Sequence, residues 1–154
     1  MKIALGCDHR GFNAKERLKA ALEARGYEVL LFGAKDTSSY DYPDAAYAAA
    51  RAVREGKANR GILLCGSGIG MCIMANKVRG VRAALCHDEL TAEMARRHND
   101  ANVLCLPADL VGEELMRRII DVWLKTPFEG GRHERRVAKI AEYEAKECED
   151  KMPG

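Results

Sequence analysis

The chain has little with which to cross a membrane, grip a nucleic acid or close a disulfide framework. No apolar run approaches the roughly 20 residues that a membrane span needs, and Met1-Lys2-Ile3-Ala4-Leu5 is too short for a secretory leader and reads as a strand. A formal net charge of +2 spread over 25 basic and 23 acidic residues gives no broad basic field, which disfavours nucleic acid and membrane surfaces as partners. There is no Cys-x-x-Cys pair, and Cys7, Cys65, Cys86 and Cys105 sit in or at the end of apolar runs, so the six cysteines are expected as reduced thiols in a cytoplasmic protein. No six-residue dinucleotide fingerprint and no P-loop lysine occur, which disfavours NAD and ATP.

What is present is an alternation of two periods. Lys2 to Cys7, Glu28 to Phe32, Gly61 to Cys65, Val81 to Cys86 and Asn102 to Leu106 are short, continuously apolar and read as strands buried on both faces. Between them lie amphipathic stretches such as Ala14 to Arg25, closed by Gly26, and Asp44 to Glu55, capped by its aspartate and closed by Gly56. Glu113 to Lys125 follows, and after Pro127 and Gly130-Gly131 a last helix starts near His133. Repeated βα units over 154 residues predict one α/β domain spanning 1–154, a doubly wound three-layer αβα sandwich on a five-stranded parallel sheet, Rossmann-like with flavodoxin-type strand order. Its C-terminal helix is available to pack on a partner subunit. Glu142 to Lys151 is charge-rich and is expected to fray.

In such sheets ligands bind beyond the carboxyl ends of the strands, where strand order reverses, between the first and third. The loops after those two strands are the most loaded in the chain: Cys7-Asp8-His9-Arg10-Gly11, and Cys65-Gly66-Ser67-Gly68-Ile69-Gly70. The glycines could serve only to turn strand into helix, or their amides could hold an oxyanion. Cys65 is either an inert strand-end cysteine or a general base. A thiol of pKa about 8.5 is a few per cent thiolate at neutral pH, which suffices for a base that need be deprotonated only with substrate bound.

Two further segments carry candidate chemistry. His98-Asn99-Asp100 either caps a helix or supplies an acid–base group. Arg132 and Arg136, four apart at a helix start, share one face; cations there oppose the helix dipole, which favours an anionic partner such as a phosphate. His87-Asp88 reads as an N-cap pair. Cys65, His9 and His98 are too scattered for a zinc site, so no metal is expected.

Six motifs together resemble one family: Gly6-Cys7-Asp8-His9, Asp41-Tyr42-Pro43, Cys65 to Gly70, Ala75-Asn76-Lys77, His98-Asn99-Asp100-Ala101-Asn102 and Gly130-Gly131-Arg132-His133. The chain, from Met1 to about Tyr143, resembles the type B ribose-5-phosphate isomerases and the related galactose-6-phosphate isomerase subunits. The resemblance implies a cofactor-free, metal-free aldose–ketose isomerase that interconverts ribose 5-phosphate and ribulose 5-phosphate through a cis-enediolate. It implies that His98, aided by Asp8, opens the furanose ring, that Cys65 moves the proton between C2 and C1, and that Ser67 serves the sugar oxygens. The amides of Gly66, Gly68, Ile69 and Gly70 with the Asn99 side chain would stabilise the enediolate. His9, Arg132 and Arg136 would hold the phosphate, and Tyr42 would line the sugar pocket. Some members place a glutamate base where this chain has Ala75, which cannot act. Relatives share active sites across a homodimer or a dimer of dimers, so the same is expected here.

One departure matters. Asp109 stands where many relatives carry an arginine that contributes to phosphate binding, and a like-charge approach of about 6 Å at an effective dielectric of about 20 is worth roughly 3 kcal/mol per unit pair before screening. Either Asp109 points away, or the substrate is another sugar: allose 6-phosphate, galactose 6-phosphate or a free aldose. A non-catalytic module that binds a phosphorylated metabolite is the alternative from another class.

Overall fold

The computed structural model describes residues 1–149. Five strands and six helices alternate: β1 (Lys2–Cys7), α1 (Phe12–Ala24), β2 (Glu28–Gly33), α2 (Tyr42–Arg54), β3 (Arg60–Cys65), α3 (Ile69–Ala75), β4 (Ala83–Leu85), α4 (Glu89–Arg97), β5 (Val103–Pro107), α5 (Glu113–Lys125) and α6 (Arg132–Glu149). The strands form one sheet in the order β2-β1-β3-β5-β4, and every neighbouring pair is parallel. Strand order reverses between β1 and β3, as in the flavodoxin-type arrangement. On the far side β5 lies next to β3 and β4 takes the edge.

Burial follows the predicted apolarity in the three central strands but not in β2 and β4, which were expected to be buried on both faces and lie at the sheet edges. The central strands β1, β3 and β5 are buried almost throughout, whereas the edge strands β2 and β4 are half-exposed. The pleat divides them between two cores. Ile3, Leu5, Ile62, Leu64, Leu104 and Leu106 meet Leu18 and Leu22 of α1 and Met116, Ile119 and Trp123 of α5 on one face. Ala4, Leu63, Cys65, Val103 and Cys105 meet α2 and α3 on the other. The α2 face is five buried alanines, which brings the helix close to the sheet without gaps.

The boundaries differ where side chains intervene. Asp41, not Asp44, occupies the N-cap position of α2, because Pro43 falls in the first turn and pre-sets its dihedral angle. β4 is shorter than Val81–Cys86, and amide side chains hold its start. Asn76 accepts from the Ala83 amide (2.8 Å) and donates to its carbonyl (2.9 Å), and Asn102 accepts from the Arg82 amide at 2.8 Å. Asp88 caps α4 as read from the sequence, accepting from the Thr91 amide at 2.7 Å. All six cysteines are free. The charge-rich end of the chain is helical through Glu149; Asp150 and Lys151, included in the expected frayed stretch, lie outside the described residues.

Candidate active site

The carboxyl ends of β1 and β3 form a crevice of about 380 Å³ lined by Asp8, Arg10, Tyr42, Cys65, Gly66, Ser67, Gly70, Asp109 and Leu110. Cys65 ends β3 and is 5% exposed, at the crevice floor. Gly68 turns the chain with φ +75°, a backbone value that glycine adopts without strain. That turn aims its amide back at the thiol, so the Gly68 N–H donates to Cys65 Sγ at 3.2 Å. Burial pushes the Cys65 thiol above its ordinary value, and the neighbouring Asp8 charge adds to this, while amides of the loop pull in the opposite direction. The next amide is also engaged: Ile69 donates to Ser67 Oγ at 3.3 Å. The loop amides expected to face an enediolate are therefore partly committed to the sulfur and to Ser67.

Asp8 is buried behind this floor and is fixed by its own loop, its Oδ1 accepting from the amides of Arg10 (2.9 Å) and Gly11 (3.2 Å). Gly11 is required there because a Cβ would come within 2.5 Å of the Leu64 carbonyl oxygen. His9 is held through Nδ1, which accepts from the Tyr40 amide at 3.2 Å. The Tyr42 ring lies against Gly70, where a Cβ would sit 2.5 Å from the ring edge. One side of the crevice is thus an aromatic wall over a glycine.

Asp109 does line the crevice, but not as a bare anion. Its carboxylate accepts a hydrogen bond from Arg10 Nε and pairs with that guanidinium, which offsets the repulsion expected from Asp109 alone. Nothing in the sequence around Arg10 points to this pairing. The missing signal is long-range: the pair spans 99 residues, so neither partner's neighbours reveal it.

The remaining predicted residues lie elsewhere. Gly61, four strand residues or about 13 Å before Cys65, donates its amide to the Asn102 carbonyl, which places the His98 to Asn102 loop at the amino ends of the strands. His98 is the C-cap of α4, its amide donating to Met94 at 2.9 Å. Its ring stacks on His133 with centroids 4.3 Å apart and planes 12° apart. His133 is buried, its Nε2 lies 3.9 Å from Glu129 Oε1 and has no hydrogen-bond partner among the described residues, and burial followed by His98 and Arg132 holds its pKa below the usual histidine value. Asn99 adjoins, its carbonyl accepting from Arg82. Arg132 and Arg136 begin α6 at the same end, both exposed. Cys65, Ser67, Asp8, Tyr42 and the glycine loop therefore come together; His98, Asn99, Arg132 and Arg136 form a second cluster across the sheet.

Ligand atoms of His98, Glu129 and His133 lie within 4.8 Å of one another, the described group closest to a metal-ligand set. The two imidazoles are stacked, however, so their lone pairs run in offset planes rather than converging on one ion. Glu129 is already tied to Arg97. The groove of about 640 Å³ between α4 and α5 is larger than the Cys65 crevice, but its lining, from Glu93 to Glu129, carries no thiol, hydroxyl–amide loop or buried acid.

With this geometry in place, comparison with known proteins is decisive. Residues 3–140 match the family described as Ribose/Galactose Isomerase. The chain belongs to that family. It is 46% identical over 143 residues to ribose-5-phosphate isomerase B of Escherichia coli K12, covering 93% of this chain and 96% of the relative. It is 45% identical over 148 residues to D-erythrulose-4-phosphate isomerase of Pectobacterium atrosepticum, covering 96% and 97%. The solved structure of ribose-5-phosphate isomerase B from Clostridium thermocellum superposes with a TM-score of 0.94 at 50% identity, covering 95% of this chain and 99% of that one. The chain is accordingly an aldose–ketose isomerase of the ribose/galactose isomerase family, and the binding-module alternative gives way. No described helix is long and apolar enough to cross a membrane.

Proposed function

We propose that the enzyme interconverts ribose 5-phosphate and ribulose 5-phosphate in the cytoplasm, with Cys65 as the base that carries the proton between C2 and C1. The observation that supports this most is the Cys65 thiol at the floor of a crevice that also holds Asp8, Ser67 and Arg10, with the sulfur held by the Gly68 amide. In the aldose-to-ketose direction the Cys65 thiolate takes the C2 proton, the electron pair forms the C1–C2 double bond of a cis-enediolate, and the thiol returns the proton to C1. The hydroxyl proton passes from O2 to O1, a transfer for which Ser67 Oγ and Asp8 are the groups in the crevice. No electron leaves the sugar.

The elevated thiol pKa means that the free enzyme holds Cys65 protonated at neutral pH. The amides that donate to the sulfur then have to favour the thiolate at the moment of transfer, against the burial that raises its pKa. Ring opening needs a second acid–base group, which His98 supplies, and the phosphate needs cations, which Arg132 and Arg136 supply, with His9 as a hydrogen-bonding partner through its other ring nitrogen. A single chain sets His98 and both arginines at the amino end of the sheet and Cys65 at the carboxyl end. The reading therefore requires two copies, each completing the other's crevice, in a homodimer or dimer of dimers with α6 at the contact.

A second reading keeps the chemistry and changes the sugar. The Asp109 carboxylate on the crevice wall favours it, and one relative of this chain is named for a four-carbon substrate. Initial rates on ribose 5-phosphate, allose 6-phosphate, erythrulose 4-phosphate and the free sugars, with Cys65→Ser alongside, test both. Cys65-dependent turnover that is fastest on ribose 5-phosphate supports the first reading. Activity confined to another sugar moves the substrate.

A further inference from the structure

We infer that Arg10 is a substrate-binding residue of this chain, a clamped fork that takes the phosphate end of the sugar at the rim of the crevice. This rests on the isomerase reading above for the identity of the ligand, but the argument for an anion site comes from geometry. Arg10 lines the same crevice as Cys65 and Ser67, with a side chain 59% exposed. It therefore lies at the mouth, whereas Cys65, 5% exposed, lies at the floor. A sugar with C1 and C2 at the thiol extends outward, so its far end, the phosphate, reaches the rim.

The clamp is what prepares the residue. Arg10 Nε donates to Asp109 Oδ2, and among the described residues no acceptor engages its two terminal nitrogens. A guanidinium carries five N–H donors. With Nε committed, the four on the terminal nitrogens remain in a planar fork of the kind that grips a phosphate in two parallel hydrogen bonds. The side chain runs over Gly66, where a Cβ would lie 3.1 Å from Arg10 Nε and 2.7 Å from Asp109 Oδ2. Gly66 is thus the residue that lets the pair close down next to the thiol. An unclamped arginine loses rotamer freedom when it is fixed; here Asp109 has fixed much of the side chain before the ligand arrives. Because Asp109 also cancels the formal charge, Arg10 contributes directed hydrogen bonds, while net attraction for a dianion comes from Arg132 and Arg136 of the second copy.

The test compares wild type, Arg10→Ala and Arg10→Lys by kinetics on ribose 5-phosphate, by competitive inhibition with inorganic phosphate, and by calorimetric titration of inorganic phosphate into each protein. Loss of two charge-assisted hydrogen bonds predicts that Arg10→Ala raises KM and the phosphate inhibition constant together by about ten- to a hundredfold, a far larger change than in kcat. Arg10→Lys keeps the charge but has neither Nε nor fork, and recovers only part of the affinity. Arg10→Ala with KM and phosphate affinity both within twofold of wild type overturns the assignment, as does a fall confined to kcat. If wild type turns over no phosphosugar, the isomerase reading fails on its own. The calorimetric comparison then still decides Arg10, since phosphate binding unaffected by Arg10→Ala, or no phosphate binding at all, counts against it.

Discussion

The two ends of the sheet are built by different rules. At the carboxyl ends of β1 and β3, the proposed catalytic groups are pinned by short local loops: Asp8 by the amides of residues two and three further on, Cys65 by the amide three further on. At the amino ends, His98 and His133 meet only because α4 and α6, distant in sequence, converge, and His133 Nε2 has no hydrogen bond among the described residues. One end is a finished pocket that lacks cations of its own beyond the clamped Arg10. The other is rich in exposed cations and lacks a pocket with a nucleophile or base. Each has what the other is missing, which is the physical basis for reading the active site as shared between two copies.

The sharpest way to break this contrast is to disable the pocket end. Cys65→Ser is expected to lower kcat by roughly 10²- to 10⁴-fold, the range of general acid–base contributions, while calorimetric affinity for ribose 5-phosphate stays within a few-fold. Near-normal turnover would remove Cys65 as the base. Next, His98→Asn at the other end is expected to slow the cyclic sugar by about 10²-fold and a substrate supplied in open-chain form by much less; equal losses on both would remove the ring-opening role. Arg132→Ala and Arg136→Ala should each raise KM by about tenfold or more with a smaller change in kcat, measured by the same rate assay.

Two pH effects sharpen the comparison further. Burial raises the Cys65 pKa, so the thiolate fraction and with it kcat/KM for the free enzyme should climb as pH rises through 7 and beyond about 8.5, the ordinary thiol value. A profile already flat at pH 7 would contradict that. His133 is held below the usual histidine value chiefly by burial. The unfolded chain then binds the extra proton first, so folding stability should fall as pH drops below about 6.5. Thermal melts of wild type and His133→Asn between pH 8 and 5 check this smaller effect: the variant should lose less stability over that interval.

Much of this was legible in the sequence because it is local. The apolar runs of β1, β3 and β5, the Asp88 cap and the Gly68 turn are set by neighbours within a few residues, and the structure places them as read. The shortened β4 was not legible, because Asn76 and Asn102 reach it from other elements. The Arg10–Asp109 pair was not legible either, so Asp109 read as an uncompensated anion. The separation of Cys65 from His98 follows from topology: α4 runs antiparallel to the strands and delivers His98 to the opposite end, which a single assembled residue list conceals.

That separation is the central claim, and subunit complementation tests it most directly. Cys65→Ser and His98→Asn chains, each inactive on ribose 5-phosphate by itself, are co-expressed with different tags and the mixed dimer is isolated. If each site takes its thiol from one copy and its histidine from the other, random pairing in the unfractionated mixture restores about a quarter of wild-type activity and the purified mixed dimer about half. A mixed dimer as inactive as its parents would show that the site does not cross between copies.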